Sequence, residues 1–242
     1  MTHAKAALIV GAGDATGGAI ARRFAREGFV ACPVRRNAES LAPLVAEIEK
    51  AGGAARPFGA DARIEEDVVR VVDTIEAEVG PIEVCVFNIG ANVRFGVTET
   101  TARVYRKVWE MAAFAGFLSG REAARVMAPR GRGTIIFTGA TASLRGGSGF
   151  SAFAGAKFAL RALAQSMARE LGPKGLHVAH TIIDGAIDTA FIRDNFPERY
   201  ALKDRGGILD PDAIADAYWT LHCQQRSAWT HELDLRPWLE TF

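Results

Sequence analysis

Side chains suited to proton transfer are scarce in this chain, whose 242 residues include only three tyrosines, five histidines and three cysteines. The cysteines, Cys32, Cys85 and Cys223, form no pair at metal-ligand spacing, and two of them stand inside apolar strand-like runs. Buried reduced thiols are expected, with neither a disulfide nor a structural zinc. Charge of one sign is equally wanting: 29 Lys and Arg face 28 Asp and Glu, a formal net charge of +1, and the basic residues are scattered. No broad positive field is available for a phosphodiester backbone, so nucleic-acid binding is not expected. The longest stretch without a charged residue runs from Gly133 to Leu144, short of the roughly 18 apolar residues of a spanning helix. Met1 to Lys5 leads straight into Ala6-Ala7-Leu8-Ile9-Val10, too short for the apolar region of a secretory signal. A cytoplasmic protein without a membrane segment is the expectation.

What is present is alternation. Short apolar runs rich in Val and Ile give way repeatedly to longer segments of helical period, the pattern of βαβ units around a parallel sheet. Strands are expected at 6–10, 29–34, 54–58, 82–87, 134–138, 176–183 and, less regular in pattern, 229–235. Helices are expected near 17–27, 38–51, 65–79, 101–128, 151–171 and 211–224. The length suits one domain spanning 1–242, an α/β doubly wound Rossmann fold with a sheet of about seven parallel strands and helices on both faces. Residues 184–208 are the least regular part. They read either as a lid over a site at the strand ends or as a plain surface excursion.

The first strand runs into Gly11-Ala12-Gly13-Asp14-Ala15-Thr16-Gly17-Gly18, and a helical pattern begins at once. Glycines there allow a sharp turn and bring backbone N–H groups close to a pyrophosphate at the positive end of a helix. Because the cluster closes the first strand of a βαβ run, it reads as a dinucleotide-binding turn. At the end of the second strand, where a carboxylate would accept the ribose hydroxyls of NAD, stand Arg35 and Arg36. Guanidinium groups match an additional 2′-phosphate, so the expected cofactor is NADP(H).

With these motifs in order, the chain resembles the short-chain dehydrogenase/reductase family over nearly its whole length. The family's Thr-Gly-x-x-x-Gly-x-Gly lines up with Val10 to Gly17, retaining Gly11 and Gly17 and replacing the middle glycine by Ala15. Asp61-Ala62 falls where the family has an adenine-contacting pair, and Phe87-Asn88-Ile89-Gly90 resembles its Asn-Asn-Ala-Gly. Asp184-Gly185-Ala186-Ile187-Asp188-Thr189 resembles Pro-Gly-x-Ile-x-Thr without the proline. The resemblance implies cofactor binding by Gly11, Gly13, Asp14, Thr16, Gly17, Arg35, Arg36, Asp61, Ala62, Asn88, Gly90, Lys157, Gly185, Ile187 and Thr189. It also implies a homodimer or homotetramer packed through the long helices at 101–128 and 151–171.

The family's catalytic tetrad is Asn, Ser, Tyr and Lys, and only the last has a counterpart here. Tyr-x-x-x-Lys falls on Phe153-Ala154-Gly155-Ala156-Lys157, the serine position on Ala140, and the asparagine position near Ala113. The alternative tyrosine position of the family's enoyl reductases is Phe150. A missing general acid costs about 10²–10⁴ in rate unless another donor stands in. Candidate stand-ins are Thr141, Ser143, Ser148 and Ser151, or Tyr200 carried on a lid. Ala140, Phe150 and Phe153, with Phe95 and Leu144, would present an apolar surface to a small-molecule substrate. Two readings follow from the resemblance. One is an NADP(H)-dependent oxidoreductase with an altered acid/base arrangement; the other is a non-catalytic NADP(H)-binding protein.

Overall fold

The computed structural model describes residues 4–241; Met1 to His3 and Phe242, the ends of the expected domain span, lie outside the described residues. Eight parallel strands form one sheet: β1 (Ala6–Val10), β2 (Val30–Arg35), β3 (Ala54–Ala55), β4 (Phe58–Gly59), β5 (Ile82–Phe87), β6 (Gly133–Thr138), β7 (Leu176–Ile183) and β8 (Glu232–Leu235). Their spatial order is β3-β2-β1-β5-β6-β7-β8, with β4 also on β2. The single third strand expected at 54–58 is therefore two short pieces. Pro57, which has no N–H to donate, lies in the gap between them. The last strand is shorter than expected: it begins at Glu232, and the Thr230 N–H ahead of it donates to the Gln224 side chain at 2.7 Å instead of to a neighbouring strand.

Alternating residues of β1 enter opposite cores. Leu8 and Val10 pack on one face, Ala7 and Ile9 on the other, and all are buried. That double burial is why the strands read as continuous apolar runs. One face is covered by α3 (Glu65–Glu78), α5 (Ala115–Met127) and α6 (Ser151–Leu171), the other by α1 (Thr16–Arg26), α2 (Ala42–Lys50) and α9 (Pro211–His222). In α3 the buried positions are Val68, Val71, Val72 and Ile75, one stripe of a 3.6-residue period, and Glu65, Glu66 and Asp67 sit at its positive end. Truncating a fully buried ring such as Phe137 would cost about 3–5 kcal/mol.

The single helix expected over 101–128 is continuous but not uniform. α4 (Ala102–Trp109), capped by the Thr101 side chain on Val104 N–H, passes through a π-helical turn at Glu110–Phe114 into α5. The excursion at 184–208 is more ordered than its sequence suggests. It holds α7 (Ala190–Asn195), α8 (Pro197–Tyr200) and a 3-10 turn at Lys203–Arg205. The segment after β8 packs on it: the Trp238 indole donates to Arg205 O at 2.8 Å, and the Gly185 backbone lies against Pro237. No helix among the described residues is long and apolar enough to cross a membrane.

Candidate active site

Strand order reverses between β1 and β5, and a parallel sheet opens a crevice at the carboxyl ends of its strands at such a switch point. The glycine turn enters this crevice from β1. Gly11 has φ +89°, and a Cβ there would sit 2.9 Å from the Asn88 backbone; a Cβ at Gly17 would sit 2.5 Å from Gly11 O. Both glycines are required by close backbone approach. Around Gly13 and Gly90, by contrast, a Cβ would meet nothing within 4 Å, so these two face open space. α1 begins without a side-chain cap at Ala15 and with no acidic residue in its first turn. Its leading N–H groups are thus left for an anion. Thr16 is buried beneath the turn. The Asn88 amide donates to Gly11 O at 3.3 Å, so this side chain secures the turn itself.

Beside the turn lies a cavity of about 180 Å³ lined by Gly11, Arg35, Arg36, Asp61, Ala62 and Arg63, with Val10, Val34, Ala60, Ile89 and Met111 completing its wall. The fold thus brings together the residues expected from three separate motifs. It adds Arg63 and Met111, which sequence reasoning missed; the Asp61-Ala62-Arg63 spacing was the available signal for the former. Asp61 accepts from Arg63 Nε at 2.9 Å and from Arg63 N at 3.1 Å. The Arg63 hydrogen bonds hold the Asp61 carboxyl below its ordinary range. Arg35 Nη1 faces Asp14 Oδ1 at 3.4 Å, and the Asp14 side chain is 96% exposed. A larger groove of about 450 Å³, between Lys5, Glu27, Phe29 and His222, lies at the amino ends of the strands, away from this crevice.

Further along the crevice, Lys157 is 2% exposed. Its ammonium donates to Thr138 O at 2.8 Å and Ile89 O at 3.3 Å, and it lies 5.9 Å from the centre of the Phe153 ring. Burial pushes its pKa down to about 8. Phe153 packs with Ala142, Ala154, Ala140 and Phe150, so the three residues expected at a substrate surface do converge. Ala113 lies buried in the π-helical turn. Ile187 is bridged to Leu209, and the Thr189 hydroxyl caps α7 by accepting from Ile192 N at 3.1 Å.

None of the three tyrosines is positioned as an obvious partner for Lys157. Tyr218 is fully buried under the opposite face, bonded to Thr138 Oγ1 at 2.8 Å, and burial pushes its pKa up to about 12. Tyr105 lies on α4 over Gly155, and Tyr200 lies under Lys203, which is paired with Asp188 at 2.8 Å. Asp184, 5% exposed, accepts from the Thr141 hydroxyl and pairs with Arg236 at 3.3 Å. Sequence reasoning placed Thr141 in the site but not Asp184.

A model of the short chain dehydrogenase family matches residues 5–199 of this sequence. The chain belongs to that family. This short chain dehydrogenase is 30% identical over 231 residues to the short-chain reductase protein NovJ of Streptomyces niveus, covering 96% of this chain and 87% of that one. It is 31% identical over 189 residues to (21S)-21-acetoxyl-apo-melianone synthase SDR of Melia azedarach, covering 74% and 69%. A short-chain dehydrogenase structure from Rhodopseudomonas palustris superimposes with TM-score 0.83 at 54% identity, covering 97% of this chain and 99% of that one. A metagenomic short-chain oxidoreductase in complex with NADP shares the fold, with TM-score 0.80 at 23% identity and covering 99% and 100%. The family is one of oxidoreductases that use NAD(P)(H), and the uncapped helix start, the open glycines and the arginine-lined cavity of this chain fit such a dinucleotide.

Beneath the crevice, His180 is fully buried against Glu232 at 3.2 Å, and burial pushes its pKa down to about 4; His222 is likewise depressed to about 4. Both are held neutral in the fold, whereas in the unfolded chain they titrate near 6.5. The unfolded chain thus binds more protons between those values, so their contribution is full above about pH 6.5 and falls as pH drops towards 4. Urea denaturation should show stability declining between pH 7 and 5 by up to about 1.4 kcal/mol per pH unit for each histidine. His222→Gln should flatten that decline; identical stability at both pH values would refute it.

Proposed function

We propose that this protein is an NADP(H)-dependent oxidoreductase acting on a small, apolar carbonyl or alcohol substrate, with an acid/base arrangement different from the family's usual tetrad. The observation that carries the cofactor choice is the cavity where Gly11 of the turn meets Arg35, Arg36 and Arg63. The guanidiniums of Arg35 and Arg36, beside an Arg63 already held by Asp61, favour a 2′-phosphate over the two free hydroxyls of NAD. When bound, the dinucleotide supplies or accepts the hydride; the protein binds and orients. Gly11, Gly13, Asp14, Thr16 and Gly17 form the diphosphate turn, with Asn88 and Gly90 beneath and beside it. Asp61 and Ala62 bound the adenine end, and Gly185, Ile187 and Thr189 bound the nicotinamide end.

Lys157 has three donors, and two are committed to Thr138 O and Ile89 O. The third is the one left for ribose hydroxyls. With a pKa near 8 the group remains mostly charged at neutral pH. Ala140, Phe150 and Phe153 form the apolar wall for the substrate. Neither phenylalanine moves a proton, so the proton at the substrate oxygen is handled by a water held at Lys157 or by a hydroxyl of the 141–151 loop.

The second reading, a non-catalytic NADP(H)-binding protein, is favoured by one observation. The Thr141 hydroxyl, next to Ala140 in the chain, is already committed to Asp184. A homodimer or homotetramer is supported by an aromatic strip along the long helix, where exposed Trp109 and Phe117 stack at 5.9 Å and 6.3 Å on the half-buried Phe114 of the π-helical turn.

Equilibrium titration should give micromolar NADPH binding, with NADH at least about tenfold weaker and Arg36→Ala removing most of the difference. No binding of either nucleotide ends both readings. To separate the readings, NADPH oxidation is followed on a panel of ketones and activated alkenes for the wild type and for Phe153→Tyr/Ala140→Ser. Wild-type turnover on any member supports the enzyme; turnover by the double variant alone supports the non-catalytic reading. Sedimentation velocity should show a species of at least twice 25.9 kDa, and a monomer at all concentrations would remove the oligomer.

A further inference from the structure

Two carboxylates pair with arginines of the cavity, Asp61 from within its lining and Asp14 from the glycine turn outside it, and the two are held in opposite ways. Asp61 is locked by Arg63 through its side-chain nitrogens and its backbone N–H, and only 20% of the Asp61 side chain is exposed. That pair is built into the wall. Asp14 is 96% exposed and reaches Arg35 through a single long contact of 3.4 Å. Exposed pairs of that kind are weak and exchange readily. Among the described residues no ion pair reaches Arg36. One guanidinium of the Arg35-Arg36 pair is thus open to a ligand, and the other faces a carboxylate supplied by the glycine turn.

An anion entering beside Arg35 must displace Asp14 from it. Resting on the NADP(H) reading above, we infer that Asp14 is a specificity-determining residue that opposes the 2′-phosphate by competing for Arg35. Two effects are separable. The Asp14 charge sits on the turn that receives the diphosphate, which NADPH and NADH share, so simple repulsion weakens both equally. Its hold on Arg35 weakens only the nucleotide that carries a 2′-phosphate. The ratio of the two affinities therefore isolates the competition, and Asp14 lowers the preference that Arg35 and Arg36 together would otherwise confer.

Calorimetric titration of NADPH and NADH into the wild type, Asp14→Asn, Arg35→Ala and the double variant tests this. Asp14 is almost fully exposed and Arg35 partly so, and thermal denaturation checks that each variant is folded. Asp14→Asn should tighten NADPH about threefold to tenfold and raise the NADPH-to-NADH preference at least about threefold. In the Arg35→Ala background the same substitution should leave that preference unchanged. The gain should shrink between 0.05 and 0.5 M salt, because exposed charges are screened. Equal tightening of both nucleotides, or a gain that persists without Arg35, overturns the competition and leaves general repulsion. Weaker NADH binding by Asp14→Asn overturns it too, since Asp14 would then be accepting from ribose hydroxyls. A wild type that binds NADH and not NADPH defeats the cofactor reading alone, and NADPH binding gained by Asp14→Asn would still uphold the competition. A wild type and variants that bind neither defeat both.

Discussion

At the carboxyl ends of β1 and β5 the two central strands part, and the Asn88 amide spans the gap to Gly11 O. The rest of the crevice depends on that divergence. One chain direction carries β1 into the glycine turn and α1; the other carries β5 into the segment under Lys157 and α4. Because both strands are buried on both faces, neither can shift by a residue without moving its whole apolar set to the wrong core. The turn is thereby placed to within the tolerance of packed backbone, which is why Gly11 and Gly17 leave no room for a Cβ while Gly13 faces open space.

Charge is distributed along the crevice according to burial. At its solvent-facing end, arginines and carboxylates meet in exposed or half-buried pairs, where water lowers the cost of ionisation and weakens the attraction. At its inner end a single ammonium, that of Lys157, is anchored by two strand-end carbonyls in place of a counter-charge. An isolated buried cation is costly, and the depressed pKa of Lys157 expresses that cost. A ribose diol would add polar partners at the point where the lysine has a donor left. The neighbouring phenyl ring of Phe153 offers its face and no hydrogen bond of comparable strength.

The apolar wall of Ala140, Phe150 and Phe153 gives the inner crevice a different character from its arginine-lined mouth. Ser143, buried at the base of this wall, uses its oxygen to accept from Ala140 N at 3.1 Å, and the Thr141 hydroxyl is turned to Asp184. The Thr141 hydroxyl is thus committed to Asp184, while the Ser143 oxygen holds the turn at Ala140. The C-terminal segment adds a further constraint, since Arg236 and Trp238 tie the strand that ends the sheet to the 184–208 excursion.

Much of this was legible along the chain because it is periodic or local. Strands at 6–10, 82–87 and 176–183 are continuous apolar runs, the helix at 151–171 is bounded as its pattern implies, and the glycine turn follows its strand directly. Local features fared worse where a backbone detail overrode the pattern: Pro57 split the third strand, and a π-helical turn interrupted the long helix without any breaker residue to mark it. The sequence by itself determined the parallel α/β architecture, the position of the glycine turn and the arginines at the end of β2, since each depends on residues adjacent in the chain. Only the tertiary structure decided that Arg63 and Met111 share the cavity with those arginines, that Asp14 faces Arg35, and that Thr141 is bound to Asp184. Those pairings join segments far apart in sequence, and which side chains meet is set by strand order and register, which no local pattern encodes.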